Sequence, residues 1–283
     1  MSPPLSASPP VKGIARTWWT TRAYLQRFST YARMCGVDPR TANAYWSEIS
    51  RDKWLIEELE GRLRETGHRI DKGSLGGQVA SQTWKERLVV GSGLALCNLE
   101  LYTIVRCLRP TVVLETGVAS GISSTVILLA LSRNELGQLY SVDLPSVEPG
   151  GYLYPDGTLD GVSTPAELGT GWIVPSRLRG RWKLQIGRGV DLIPRIASRV
   201  DDIGLFFHDS EHSYENMMSE FLLAWPYIRG GGCIYADDAT WNSAFLRFAS
   251  ITVDVQGSAI TPALRGIARK RAAGLGPDSV GRL

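Results

Sequence analysis

The residues of this 283-residue chain best equipped for chemistry lie in two short stretches. One reads Asp209-Ser210-Glu211-His212-Ser213-Tyr214, and the other reads Ala236-Asp237-Asp238 after the glycines Gly230, Gly231 and Gly232. Each follows an apolar run of strand length, residues 203–207 and 233–236, with an amphipathic stretch between them, so the unit reads strand, helix, strand. Parallel strands joined by a helix end on one edge, and ligands of open α/β sheets bind outside the carboxyl ends of strands. Asp209, Asp237 and Asp238 should therefore converge where a ligand sits. Two carboxylates about 4 Å apart repel by about 4 kcal/mol at an effective dielectric near 20. Such a cluster either keeps a proton or recruits a cation. Its oxygen ligands favour Mg2+, or Mn2+ or Ca2+, over zinc. The alternative uses Asp238 as a helix N-cap and Asp209 as a loop acid, with no metal. Glu211 and His212 stand just past Asp209 as candidate bases, and imidazole chemistry near neutral pH favours His212. His208 alternates to the opposite face and reads as structural.

A second constellation should decide the cofactor. After an apolar strand at 111–114 comes Glu115-Thr116-Gly117-Val118-Ala119-Ser120-Gly121, followed by a helix from Ser123 to Arg133. The glycine spacing is not that of a dinucleotide fingerprint, and no Gly-Lys-Ser/Thr completes a phosphate loop. An acid facing this turn would repel phosphates but could bind a cationic or hydroxyl-bearing ligand, while the glycines admit a close backbone approach. A plain tight turn is the other reading. Asp143 ends the next strand, where a carboxylate can accept both hydroxyls of a ribose or cap a helix. A third strand at 182–186 leads to Gly187-Arg188-Gly189-Val190-Asp191.

Acid-glycine turn, strand-end aspartate and third glycine turn together resemble the class I methyltransferases that use S-adenosylmethionine. That resemblance implies an α/β fold: a Rossmann-like, doubly wound, mostly parallel seven-stranded sheet, here with an N-terminal helical extension. It assigns Glu115, Gly117 and Gly121, with Ser120 and Ser123 of the same turn, to the methionine part, Asp143 to the ribose, and Gly187 and Asp191 to the adenine side. The stretch 208–214, the three glycines and 236–238 narrow the likeness to metal-dependent small-molecule O-methyltransferases of macrolide and aminocoumarin sugar tailoring and the cephalosporin hydroxylase-like group. It implies Mg2+ on Asp209, Asp237 and Asp238, with Asp209 also near the cofactor, and an acidic base two residues beyond Asp209, which is Glu211. Glu211 and His212 both stay candidates. The implied reaction is methyl transfer to a hydroxyl of a sugar, phenol or natural-product intermediate. The runners-up are metal-independent transfer to nitrogen or oxygen, and a non-catalytic member of the fold. The likeness spans roughly residues 85–270.

Composition is ordinary for a soluble globular protein. The chain is 43% hydrophobic and 21% charged with a formal charge of +3, too mild to demand a polyanion. Basic clusters at 177–188 and 265–271 read as solvated faces, so nucleic acid is not an expected partner. No apolar run has membrane length, and the start of the chain does not read as a secretory signal. The four cysteines, Cys35, Cys97, Cys107 and Cys233, form no CxxC pair and read as buried thiols of a cytoplasmic protein.

Along the chain, residues 1–12 read as a disordered lead, 13–80 as the helical extension, 81–272 as the methyltransferase domain and 273–283 as a frayed tail. Helices are expected at 13–33 with an aromatic stripe, at 39–65 without a break, at 94–108 and around 241–248. Strands are expected at 251–255 and 266–269, and a structureless insert at 144–181. The extension could cap the active edge, join two subunits or cover the sheet.

Overall fold

The computed structural model describes residues 28–65, 96–144, 152–153, 159–160, 168–200 and 202–272. After a helical stretch at 28–35 come α1 (Pro39–Ser50), α2 (Lys53–Glu65), α3 (Leu96–Leu108), β1 (Val112–Thr116), α4 (Ile122–Asn134) and β2 (Gln138–Asp143). A two-residue pair follows, β3 (Tyr152–Leu153) and β4 (Leu159–Asp160). Then come β5 (Trp182–Ile186), α5 (Gly189–Ala197), β6 (Ile203–His208), α6 (Tyr214–Ala224), β7 (Ile228–Ala236), α7 (Ala244–Ile251), β8 (Val255–Ile260) and β9 (Gly266–Lys270).

Seven of these strands make one sheet in the order β5-β2-β1-β6-β7-β9-β8. All neighbours are parallel except those of β9, which runs against both β7 and β8. The chain winds outward from β1 to β5, then restarts at β6 beside β1. That reversal opens a crevice between the carboxyl ends of β1 and β6.

Alternation along the strands builds two cores. Val113, Leu139, Leu205, Phe207, Cys233, Tyr235 and Ile267 face one side and pack with α3, α4 and the N-terminal helices. Leu114, Val142, Phe206, Ile234 and Ala268 face the other, with α5, α6 and α7. The N-terminal helices thus cover one sheet face. Tyr31 stacks on Trp46 at 6.2 Å between ring centroids and Phe28 meets both edge-on, which fastens the stretch at 28–35 to α1.

Several local expectations change. The helix expected over 39–65 is two, because the Asp52 carboxylate accepts from the Leu55 amide at 3.0 Å and starts a new helix. Pro39 does occupy the first turn, capped by Asp38. The glycines at 230–232 are not a turn but lie inside β7, where the pairing with β6 shifts register. Of the strand expected at 251–255, only Val255 is extended into one. Phe245 and Phe248 both bury against Phe221, which carries the helix on to Ile251, and the strand begins at Val255. The insert contains the β3–β4 pair and a 3-10 turn at Ser176–Arg181. Residues 1–27, 66–95 and 273–283, and with them the proposed domain boundaries, lie outside the described residues.

Candidate active site

The turn after β1 is assembled by close approach. Gly117 has φ +83°, and a Cβ there would lie 1.9 Å from the carbonyl oxygen of Asp209. Only glycine lets the turns after β1 and β6 meet. Gly121, at φ +94°, admits Gly171 and Val174 instead, and the amides of Gly171 and Ile173 donate to the carbonyls of Ala119 and Ser120 at 2.8 and 3.1 Å. The segment at 168–175 is thereby strapped along the turn. Glu115 lies wholly beneath it. Its carboxylate accepts from Ser123, Ser124 and Ser141 at 2.8, 2.7 and 2.6 Å, and burial pushes its carboxyl up to about 7 against the three hydroxyls. Asp143 ends β2 at the crevice, accepting from the amides of Ala119 and Leu144, both at 2.9 Å. Burial raises its carboxyl despite those amides. Gly187 continues the sheet pairing by donating to the Asp143 carbonyl at 2.8 Å, whereas Asp191 is exposed on the first turn of α5.

The second half of the edge is electrostatically loaded. The Asp209 amide donates to the Thr116 carbonyl and the Asp237 amide to the His208 carbonyl, both at 2.8 Å, so the ends of β1, β6 and β7 stay in step. Ligand atoms of Asp209, His212 and Asp237 lie within 4.8 Å of one another, the one group of three among the described residues able to hold a metal. Asp238 is outside that group, exposed at φ +43° with its carbonyl accepting from the Trp241 amide at 2.8 Å. Glu211 is also outside it. Burial and then the facing Asp237 drive the Asp209 carboxyl well up. Burial would raise Asp237 too, but the Arg265 guanidinium, whose Nε donates to its Oδ1, and the hydrogen bond from Asp209 hold it far below the carboxylate range. The negative charge of the pair is thereby favoured on Asp237, beside Arg265.

Residues 114–239 match the family model described as a methyltransferase domain. With the strand order above, this decides the matter. Residues 114–239 form a class I, S-adenosylmethionine-dependent methyltransferase domain. No curated protein matches the sequence. Among solved structures the chain is similar to CalS11, a calicheamicin methyltransferase, at 16% identity over 81% of this chain and 91% of that one, with a TM-score of 0.47. It is similar also to TomG, an O-methyltransferase from Streptomyces achromogenes involved in tomaymycin synthesis, at 14% identity over 78% and 92% of the two chains, with a TM-score of 0.49.

In this methyltransferase four positioning residues went unremarked in the sequence. Glu220, buried on α6, accepts from Thr116 at 2.6 Å and Ser210 at 3.0 Å, binding the β1 and β6 turns from below, and burial pushes its carboxyl up to about 7. His208 faces it, with Nε2 at 3.6 Å, and burial lowers the imidazole to about 3, so this contact joins a neutral ring to the acid. Asn216 donates to the Glu211 carbonyl at 2.9 Å and Asn242 to the His212 carbonyl at 2.8 Å, which fixes the loop carrying both candidate bases. The fourth is Arg265, ahead of β9. A sequence signal existed only for Asn216, which follows the N-cap Ser213. The others act across the fold. A groove of about 360 Å3 bounded by Gln138, Tyr140, Lys183 and Arg199 lies at the opposite ends of the strands, away from these acids.

Proposed function

We propose that the methyltransferase methylates a hydroxyl of a small molecule, such as a sugar, a phenol or a natural-product intermediate. One observation carries this reading: Asp209, His212 and Asp237 converge within 4.8 Å beside the crevice where class I domains bind their cofactor.

The crevice residues fit S-adenosylmethionine in kind. Asp143 presents a carboxylate at the end of β2 that would suit ribose hydroxyls, and the turn at 117–121 offers backbone at close range. When bound, the cofactor supplies an electrophilic methyl group. The chain's work is then alignment and proton removal. His212, rather than Glu211, stands with the aspartates, so His212 takes the acceptor's hydroxyl proton on a ring nitrogen while the acceptor oxygen is methylated. Asn242 holds that loop in place through the His212 carbonyl. The donor set also fits a divalent ion in part: Asp209 and Asp237 would hold Mg2+, Mn2+ or Ca2+, with the exposed Asp238 one residue away and outside the converging group. When bound, such an ion supplies Lewis-acid stabilisation of the acceptor oxygen.

The test is product analysis after incubating the purified chain with S-adenosylmethionine and panels of hydroxylated and aminated acceptors, alongside calorimetry with S-adenosylhomocysteine. Methyl ethers alone, lost by a factor of ~10²–10⁴ in kcat in His212→Asn, are expected. N-methyl products, or full activity in that variant, would sink the reading.

A further inference from the structure

Arg265 does something the acids alone do not explain. It sits just ahead of β9, the one reversed strand, only 5% exposed, and its Nε donates to Asp237 Oδ1. It is held from behind as well. Its Nη1 donates to the Cys97 carbonyl at 3.3 Å, its backbone amide to Thr261 Oγ1 at 3.3 Å, and its guanidinium carbon lies 5.4 and 5.6 Å from the ring centres of Phe207 and Tyr235. Thr261 and Tyr235 are themselves anchored on the buried Glu100 carboxylate, at 2.6 and 2.8 Å. A guanidinium gripped on so many sides cannot swing away, and it faces one of the oxygens a divalent ion would need.

We propose that Arg265 is the resident counter-cation of Asp237: it fills the electrostatic place of a divalent ion and sets the ion affinity of this edge low. The inference rests on the reading of this edge as the reaction site, but its evidence is the pairing itself. Two cations sharing one carboxylate repel each other, so an ion reaching Asp237 must compete with Arg265. Asp238, the other acid of the pair, is exposed and is not among the three residues that converge there.

The experiment is a Mn2+ titration followed by the electron paramagnetic resonance signal of the free ion, on the wild-type chain and on Arg265→Met and Arg265→Gln, with S-adenosylhomocysteine calorimetry and a thermal melt on each. Expected is weak, millimolar Mn2+ binding by the wild type and binding tighter by about tenfold or more in whichever variant keeps its melt. Micromolar one-to-one binding by the wild type overturns the proposal whether or not the variants fold. So does a folded variant that binds no more tightly than the wild type. Failure of the methyltransferase reading would show separately, as absent S-adenosylhomocysteine binding by the wild type.

Discussion

The two halves of the carboxyl edge treat their acids in opposite ways. At the turn after β1, burial pushes the Glu115 carboxyl towards its neutral form while three serine hydroxyls donate to it, and the glycines are used for approaches between loops. At the ends of β6 and β7, Asp209 and Asp237 face each other and His212, with a buried arginine as balance. A carboxylate satisfied by neutral donors holds a turn in shape. A carboxylate balanced by a cation stays ionised as half of an ion pair. Similar residue types thus meet neutral donors on one side and a cation on the other.

Breaking the charged half should cost most. Asp237→Ala leaves Arg265 buried without its partner and should lower stability by ~3–5 kcal/mol in denaturant unfolding. Pairing Asp237→Asn with Arg265→Met should recover most of that loss; no recovery would mean that the pair is not the source. Next comes Gly117→Ala, whose methyl group meets the Asp209 carbonyl at a positive φ. A loss of ~3 kcal/mol and of S-adenosylhomocysteine binding by calorimetry is expected.

The uncharged half should show itself in pH dependence. Glu115 titrates at about 7 in the folded chain against an ordinary 4.5. Between those values the folded chain keeps a proton that the unfolded chain has lost. Stability from this group is therefore greatest below pH 4.5 and falls by up to ~3 kcal/mol as the pH rises to about 7. Glu220 adds a slope of the same sign, so the difference between wild type and Glu115→Gln in unfolding at several pH values isolates Glu115. An unchanged slope in that variant would place the proton elsewhere. The smallest effect is expected for Asn242→Ala: about 1 kcal/mol of stability, with a lower kcat and unchanged S-adenosylhomocysteine affinity. Loss of both together would make Asn242 a general scaffold residue.

Strand ends were legible because an acid following an apolar run announces itself locally. Asp143, Asp209 and Asp237 all stand on the carboxyl edge where their runs place them. Boundaries were less legible where a cap or a buried aromatic pair decided, as at Asp52 and at Phe245 with Phe248. Positioning residues were least legible, since Glu220 looks like any helical glutamate until Thr116 is found above it, 104 positions away.

By itself the sequence determined the alternation of strands and helices, the parallel sheet, the methyltransferase class and the edge that carries the acids. The alternation, the sheet and the edge follow from periodicity and short motifs, which act over a few residues, and the class is what the resemblance implied. Only the tertiary structure decided that Glu115 is buried, that His212 rather than Glu211 joins the aspartates, that Asp238 is exposed outside that group, and that Arg265 is the cation beside Asp237. These depend on side-chain direction and on contacts such as the one between Asp237 and Arg265, 28 positions apart, brought together only when β9 pairs against β7.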